Sequence, residues 1–253
     1  MVIWLIGGTS ESVAIASFLK QQNQNLIISV TTTAATQLYQ SLEKQKIFVG
    51  KLTETEMVKF IKQNQVNKVI DASHPFAVNI SQGVIKVCQN LSLPYLRYER
   101  PLVDLIGKMP SVTVISSLSS LITEDSPLTN KRVLLTIGAK SLALFTAFHH
   151  QATLYARILP YHDSLTKAYQ AGFECDRIIA MRPPFNFTFE KALWELWNIE
   201  IVVTKAGGKA GGEEIKYQVA EALNIPLIVI ESPTLDYPLI VDRLEDISRF
   251  ICH

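Results

Sequence analysis

The sequence predicts an α/β protein of two domains, each built on a parallel, doubly wound sheet. Short unbroken apolar runs alternate with stretches of helical periodicity along the whole chain. The succession of apolar run, glycine turn and helix that opens the chain at Ile6-Gly7-Gly8 starts again at Thr136-Ile137-Gly138. At 253 residues the chain exceeds one minimal domain and accommodates two small ones.

Val2-Ile3-Trp4-Leu5-Ile6 is the kind of run expected of a strand buried on both faces. Gly7-Gly8-Thr9-Ser10-Glu11 follows, then a helix through Val13, Ala16 and Leu19. Glycines here permit a tight turn and close backbone approach, and a helix start offers N–H groups and a positive dipole end to a phosphate. Gly7, Gly8, Thr9, Ser10 and Glu11 are therefore candidate cofactor residues. The third glycine of G-x-G-x-x-G is missing, and a plain strand–turn–helix junction fits the same residues. Residues 25–30 form the second strand and end in Thr31-Thr32-Thr33. No acid stands where NAD enzymes hold the ribose 2′-hydroxyl. Thr31 and Thr32 would tolerate a 2′-phosphate, which favours NADPH with NADH as the alternative. No arginine stands near to clamp that phosphate, and the threonines also suit a mere strand end. Residues 47–49 are a third strand, and residues 54–63 a helix with Met57, Phe60 and Ile61 inward.

The fourth strand leads into Asp71-Ala72-Ser73-His74-Pro75-Phe76-Ala77. Pro75 has no N–H and pushes His74 out of the α region, so Ser73 and His74 fall at the carboxyl end of a strand. In an open parallel sheet that edge binds ligands. Phe76, Ile80, Val84 and Val87 then carry a helical stripe. Ser73, His74 and Pro75 are candidate cofactor residues, with His74 the candidate proton relay because its reference pKa of about 6.5 suits a donor near neutrality. A capped turn carrying a surface histidine is the competing reading. A fifth strand lies within residues 93–101 and leaves the domain.

Strands at 112–115, 133–136, 153–158, 177–181, 199–204 and 227–230 build the second domain, with a short helix at 118–124 and helices through Leu142 and Phe145, at 187–197 and at 213–223. The tail from 241 to 252 has a helical pattern. Gly138 repeats the first glycine turn. Residues 205–214 leave a strand and enter a helix, with Gly207, Gly208, Gly211 and Gly212 allowing backbone N–H groups to approach an anion and Lys205 and Lys209 adding charge. Arg157 with Tyr161, and Arg182, stand at two further strand ends. A flexible loop with solvated lysines and ordinary turn chemistry are the alternatives.

A formal net charge of +1 argues against a nucleic-acid partner. No apolar run approaches the roughly 20 residues of a membrane span, and no basic segment precedes the first strand, so no secretory signal is expected. Cys88, Cys175 and Cys252 lie far apart without a C-x-x-C, which fits a reducing cytoplasm and gives no metal signature.

The pieces Ile6-Gly7-Gly8-Thr9-Ser10-Glu11, Asp71-Ala72-Ser73-His74-Pro75-Phe76-Ala77, Tyr95-Leu96-Arg97-Tyr98-Glu99-Arg100-Pro101, Leu135-Thr136-Ile137-Gly138 and Thr204-Lys205-Ala206-Gly207-Gly208 occur in this order. Together they resemble the precorrin-6A and cobalt-precorrin-6A reductase family of cobalamin biosynthesis, over nearly the whole chain. The Asp-Ala-Ser-His-Pro-Phe-Ala and Glu-Arg-Pro pieces are specific; the Gly-Gly-Thr loop is not. The resemblance implies two Rossmann-like domains that exchange a strand, with a nicotinamide cofactor in the cleft between them. It implies hydride transfer to a macrocycle double bond, with Gly138 also on the cofactor side. The tetrapyrrole substrate carries many acetate and propionate groups, which would suit Arg157, Tyr161, Arg182, Lys205, Gly207, Gly208 and Lys209 as its binding residues. The expected boundaries are a cofactor domain at 1–100, a connector at 101–111 and a second domain at 112–253.

Hydride transfer needs neither metal nor covalent nucleophile, only placement, polarity and a proton. A nucleotide-binding regulatory module without chemistry is the second hypothesis; it leaves the cations of the second domain unused. A glycosyl- or methyltransferase would need a fingerprint that is absent. Cobalt-bound or metal-free substrate, and monomer or homodimer, stay open.

Overall fold

In a computed structural model, which describes residues 1–42, 46–99, 111–208 and 212–252, the apolar runs become two six-stranded sheets, every strand pair of which is parallel. The chain divides into a first unit, Met1–Pro101 with Pro233–His253, and a second, Leu102–Ser232.

The first unit starts with β1 (Val2–Ile6), α1 (Ser10–Gln21), β2 (Asn25–Val30), a single turn α2 (Thr33–Thr36) and β3 (Lys46–Val49). It continues with α3 (Glu54–Gln63), β4 (Val66–Asp71), α4 (Val78–Asn90) and β5 (Tyr95–Tyr98). Strand geometry sends successive side chains to opposite faces. Ile3 and Leu5 accordingly join a core with Ile15 and Leu19 on one face, while Trp4 and Ile6 join Met57, Phe60 and Val84 on the other. Covering both faces explains why β1 reads as continuous rather than alternating. Helix starts follow local chemistry: Thr9 with Ser12, and Thr53 with Glu56, form reciprocal capping boxes at α1 and α3.

The second unit holds β6 (Val112–Ile115), β7 (Arg132–Thr136), β8 (Thr153–Ile158), α5 (His162–Gln170), β9 (Ile178–Ala180), α6 (Phe187–Leu196), β10 (Ile201–Lys205), α7 (Glu213–Leu223) and β11 (Leu227–Ile230). The short helix expected at 118–124 is a 3-10 turn at Leu118–Leu121, and the helix through Leu142 and Phe145 is a 3-10 stretch, Ala139–Phe148. The last elements are β12 (Ile240–Val241) and α8 (Leu244–Cys252).

The sheet orders are β12-β5-β4-β1-β2-β3 and β6-β11-β10-β7-β8-β9. β6 follows β5 in the chain but pairs with β11, and β12 follows β11 but pairs with β5. Each sheet thus receives its sixth strand from the segment that follows the other sheet's fifth strand, the exchange implied by the resemblance. The expected second domain at 112–253 is corrected accordingly: residues 233–253 belong to the first unit. Arg97 N–H donates to Leu239 O and Glu99 N–H to Val241 O, at 2.8 and 2.9 Å. Ile247 and Ile251 bury in the first-unit core, and Lys68 Nζ, itself buried, donates to Phe250 O at 2.6 Å. The expected connector at 101–111 lies almost wholly outside the described residues.

Candidate functional site

In the first sheet β1, β2 and β3 run outward on one side, and β4, β5 and β12 on the other. The strand order reverses between β1 and β4, so the carboxyl ends of these two strands flank the place where open α/β sheets bind ligands. After β1 comes Gly7, where an added Cβ would stand 2.1 Å from the Tyr39 hydroxyl, so only hydrogen fits. That hydroxyl accepts from Gly8 N–H at 2.8 Å and lies 2.5 Å from Ser12 Oγ. Burial pushes the Tyr39 phenol pKa up. Gly8 has φ +102°, and an added Cβ there would meet nothing within 4 Å. Thr9 Oγ1 donates to Ala72 O at 2.8 Å, tying the loop after β1 to the loop after β4. Ser10 Oγ donates to Glu11 Oε2 at 3.1 Å.

β4 ends on Asp71, which is fully buried. Its Oδ1 accepts from Ser73 N–H at 2.9 Å and Arg97 Nη1 at 3.1 Å; its Oδ2 accepts from Ser81 Oγ at 2.6 Å and the Tyr95 hydroxyl at 2.9 Å. Arg97 faces it from the adjacent strand, the two residues being paired in register. Four donors compensate the desolvation of the carboxylate. Burial, and then the Asp71 charge, push the neighbouring Cys88 thiol up to about 12 and raise the Tyr95 phenol as well. Thr9, Glu11, Ala72, Ser73, Pro75, Arg97 and Tyr98 line one small cavity above this group.

His74 is exposed at the start of the turn, where its Nδ1 accepts from Phe76 N–H at 3.2 Å. In the neutral ring that bond leaves the proton on Nε2. Thr31 and Thr32 are exposed at the end of β2, with Thr32 Oγ1 accepting from Ala35 N–H as the cap of α2.

The second sheet reverses between β7 and β10 in the same way. After β7, Gly138 shares with Gly8 a positive φ, +82°, and nothing within 4 Å of an added Cβ. After β10, Lys205 Nζ donates to Ser141 Oγ at 3.0 Å, and burial, with Lys140 second, lowers its pKa. Gly207 and Gly208 do aim their N–H groups at a carboxylate, but it is the chain's own Glu213, at 2.9 and 2.7 Å. An external anion would have to displace it. Arg157 is no rim cation: it is 8% exposed and pairs with Glu190 at 2.6 Å, its guanidinium over the Phe185 ring. Arg182 is exposed and donates to the Tyr161 hydroxyl. Lys209 lies outside the described residues.

The profile of the precorrin-6x reductase family, CbiJ/CobK, matches residues 2–252. The chain belongs to that family. It is 44% identical to the cobalt-precorrin-6A reductase of Synechocystis sp. over 98% of this chain and 95% of that protein. It is 33% identical to the cobalt-precorrin-6A reductase of Salmonella typhimurium over 92% of this chain and 88% of that one. A solved structure of CobK precorrin-6A reductase superposes with a TM-score of 0.81 at 22% identity, over 100% of this chain and 96% of that chain, and supports the fold. The resemblance read from the motifs is borne out.

Within this CbiJ/CobK chain, reading the sequence missed four things. Tyr39, at the end of a single 3-10 turn, carries no motif. Asp71 and Arg97 were visible in the family-like pieces, yet nothing local joined them. Glu213 was passed over beside the glycines, and Lys216, 3% exposed, fell on a helix where lysine is usually solvated.

Proposed function

We propose that this CbiJ/CobK chain is an NAD(P)H-dependent reductase of a corrin-ring precursor in cobalamin biosynthesis, taking precorrin-6A or cobalt-precorrin-6A to the 6B form in the cytoplasm, as a monomer or homodimer. The observation that carries it is the β1/β4 switch point in a chain of this family: a glycine loop open above Gly8, tied by Thr9 to Ala72 and backed by the buried Asp71–Arg97 pair.

The fit to a dinucleotide rests on two features. Gly8 leaves room for close approach of a pyrophosphate, with the positive end of α1 behind it. Arg97, a cation lining the cavity, keeps a buried Nε with no hydrogen-bond partner among the described residues, and its charge adds positive potential there without touching the ligand. When bound, a dihydronicotinamide supplies the hydride. Gly7, Gly8, Thr9 and Ser10 would line the phosphate site, with the N–H groups of Gly7, Gly8 and Thr9 already donated to Ser29 O, the Tyr39 hydroxyl and Ser12 Oγ; Ser73 and Pro75 would border the cofactor, and Glu11 would flank the loop. His74 would orient the cofactor or deliver the proton from Nε2. Thr31 and Thr32, with no acid beside them, favour NADPH over NADH. In the second unit Lys205, Arg182 and Tyr161 are the groups for substrate carboxylates, while Gly138, open above its backbone, would lie on the cofactor side; Gly207 and Gly208 serve only if Glu213 moves.

The test is loss of dihydronicotinamide absorbance with each cofactor, with and without the tetrapyrrole. Oxidation that depends on the tetrapyrrole supports the reductase. Tight NADPH binding without turnover would favour a regulatory module instead. His74→Ala separates the two roles of that residue: a lower kcat at unchanged cofactor Kd indicates the proton, and a raised Kd indicates positioning.

A further inference from the structure

Ser73 sits between the buried ion pair and the cavity, and its two polar groups are not free to choose their roles. Its N–H donates to Asp71 Oδ1 at 2.9 Å. Its Oγ lies 3.2 Å from Arg97 Nη1. A guanidinium only donates, so Ser73 Oγ must accept in that contact. The hydroxyl hydrogen therefore points away from Arg97. Ser73 is 7% exposed and lines the cavity with Thr9, Pro75 and Tyr98.

Arg97 is placed to impose this arrangement. It is 1% exposed, and its Nη1 serves both Asp71 Oδ1 and Ser73 Oγ. Its Nη2 lies 3.6 Å from Glu99 Oε1, and its guanidinium lies 5.3 Å from the centre of the Tyr237 ring. One planar fork spans three groups, which a lysine ammonium on its flexible stem does not reproduce. Burying an arginine merely to join β4 to β5 would be costly, since apolar residues of similar volume hold two strands at least as well.

We propose that Arg97 forces the Ser73 hydroxyl to act as a hydrogen-bond donor to an oxygen of the bound dinucleotide, with Ser73 as the binding group and Arg97 as the positioning residue. This rests on the reading that the first unit binds NAD(P)H. It adds an atom-level polarity to the site, and a role for a residue that does not itself touch the ligand.

The test is fluorescence titration of the full-length protein with NADPH, alongside thermal melting. Ser73→Ala is expected to weaken binding on the order of fivefold to tenfold, the value of one hydrogen bond, and Ser73→Thr to restore most of it. Arg97→Lys, which keeps the charge so that Asp71 is not left unpaired, is expected to weaken binding by a similar factor. The double variant Ser73→Ala/Arg97→Lys should bind no worse than Ser73→Ala alone, because the arginine acts through the hydroxyl. A purely structural Arg97 would lower the melting temperature and multiply with Ser73→Ala. Wild-type affinity in a folded Ser73→Ala variant, or multiplying effects in the double variant, overturns the proposal. Should the wild type bind neither NADPH nor NADH, the dinucleotide reading itself falls and this inference falls with it.

Discussion

Gly7 and Gly8 are neighbours under different constraints. At Gly7 the obstacle is steric, since a methyl group would displace the Tyr39 hydroxyl and break its contacts with Gly8 N–H and Ser12. Gly7→Ala should cost roughly 2 to 4 kcal/mol of stability, read as a lowered denaturation midpoint. At Gly8 the obstacle is backbone conformation, φ +102°, with open space above. Gly8→Val should cost about 1 to 2 kcal/mol in strain and weaken NADPH binding more than Gly7→Ala does in any folded fraction, by titration. Lys216 makes a pH prediction. Burial, with Arg157 second, lowers its pKa from 10.5 to about 8, against the opposing pull of Glu190 and Glu213. Below about 8 both folded and unfolded chains hold the proton, and the destabilisation is fully present. Between about 8 and 10.5 the unfolded chain holds more protons, so stability should rise with pH and gain on the order of 3 kcal/mol. Lys216→Met should flatten that rise in denaturant titrations across the window.

At the scale of elements, the loop from β10 into α7 shows how one side chain resets a motif. Its glycines make a nest for an anion, and Glu213 at the start of α7 fills it while also accepting from the Tyr217 hydroxyl at 2.7 Å. That leaves Lys205 as the cation at this strand end whose described geometry suits a substrate carboxylate. Lys205→Ala should raise the substrate KM about fivefold to tenfold, with cofactor Kd unchanged. Added salt should weaken substrate binding to the wild type more than to the variant, because partly exposed charges are screened. Steady-state kinetics at low and high ionic strength measure both.

The whole molecule depends on its exchanged strands. β12 is only two residues long, yet the tail that carries it brings Ile247 and Ile251 into the first-unit core and Tyr237 against Arg97. Removing residues 233–253 should expose the β5 edge and that core. Hydrogen exchange should then accelerate in β1, β4 and β5, 130 or more residues away in sequence, while β7, β10 and β11 keep their protection. Equal loss of protection in both sheets would contradict the assignment of the tail to the first unit.

Much of this was legible in the chain itself. The buried strands announce themselves as apolar runs, because a sheet covered on both faces admits few polar residues. The turns announce themselves through Gly8, Pro75 and Gly138, because few residues adopt those backbones. The family pieces identified the reductase family. Tertiary structure decided what depends on distance across the fold. A two-residue strand has no period to detect, so the tail's sheet could not be read. Asp71 and Arg97 are 26 positions apart, and only the pairing of β4 with β5 brings them into register. Arg157 read as a strand-end cation until packing buried it, and the glycines after β10 read as a nest for an external anion until Glu213 filled it. Local pattern determines which elements form and where they turn; which charges meet, and which amides stay open to a ligand, is decided only when the sheets assemble.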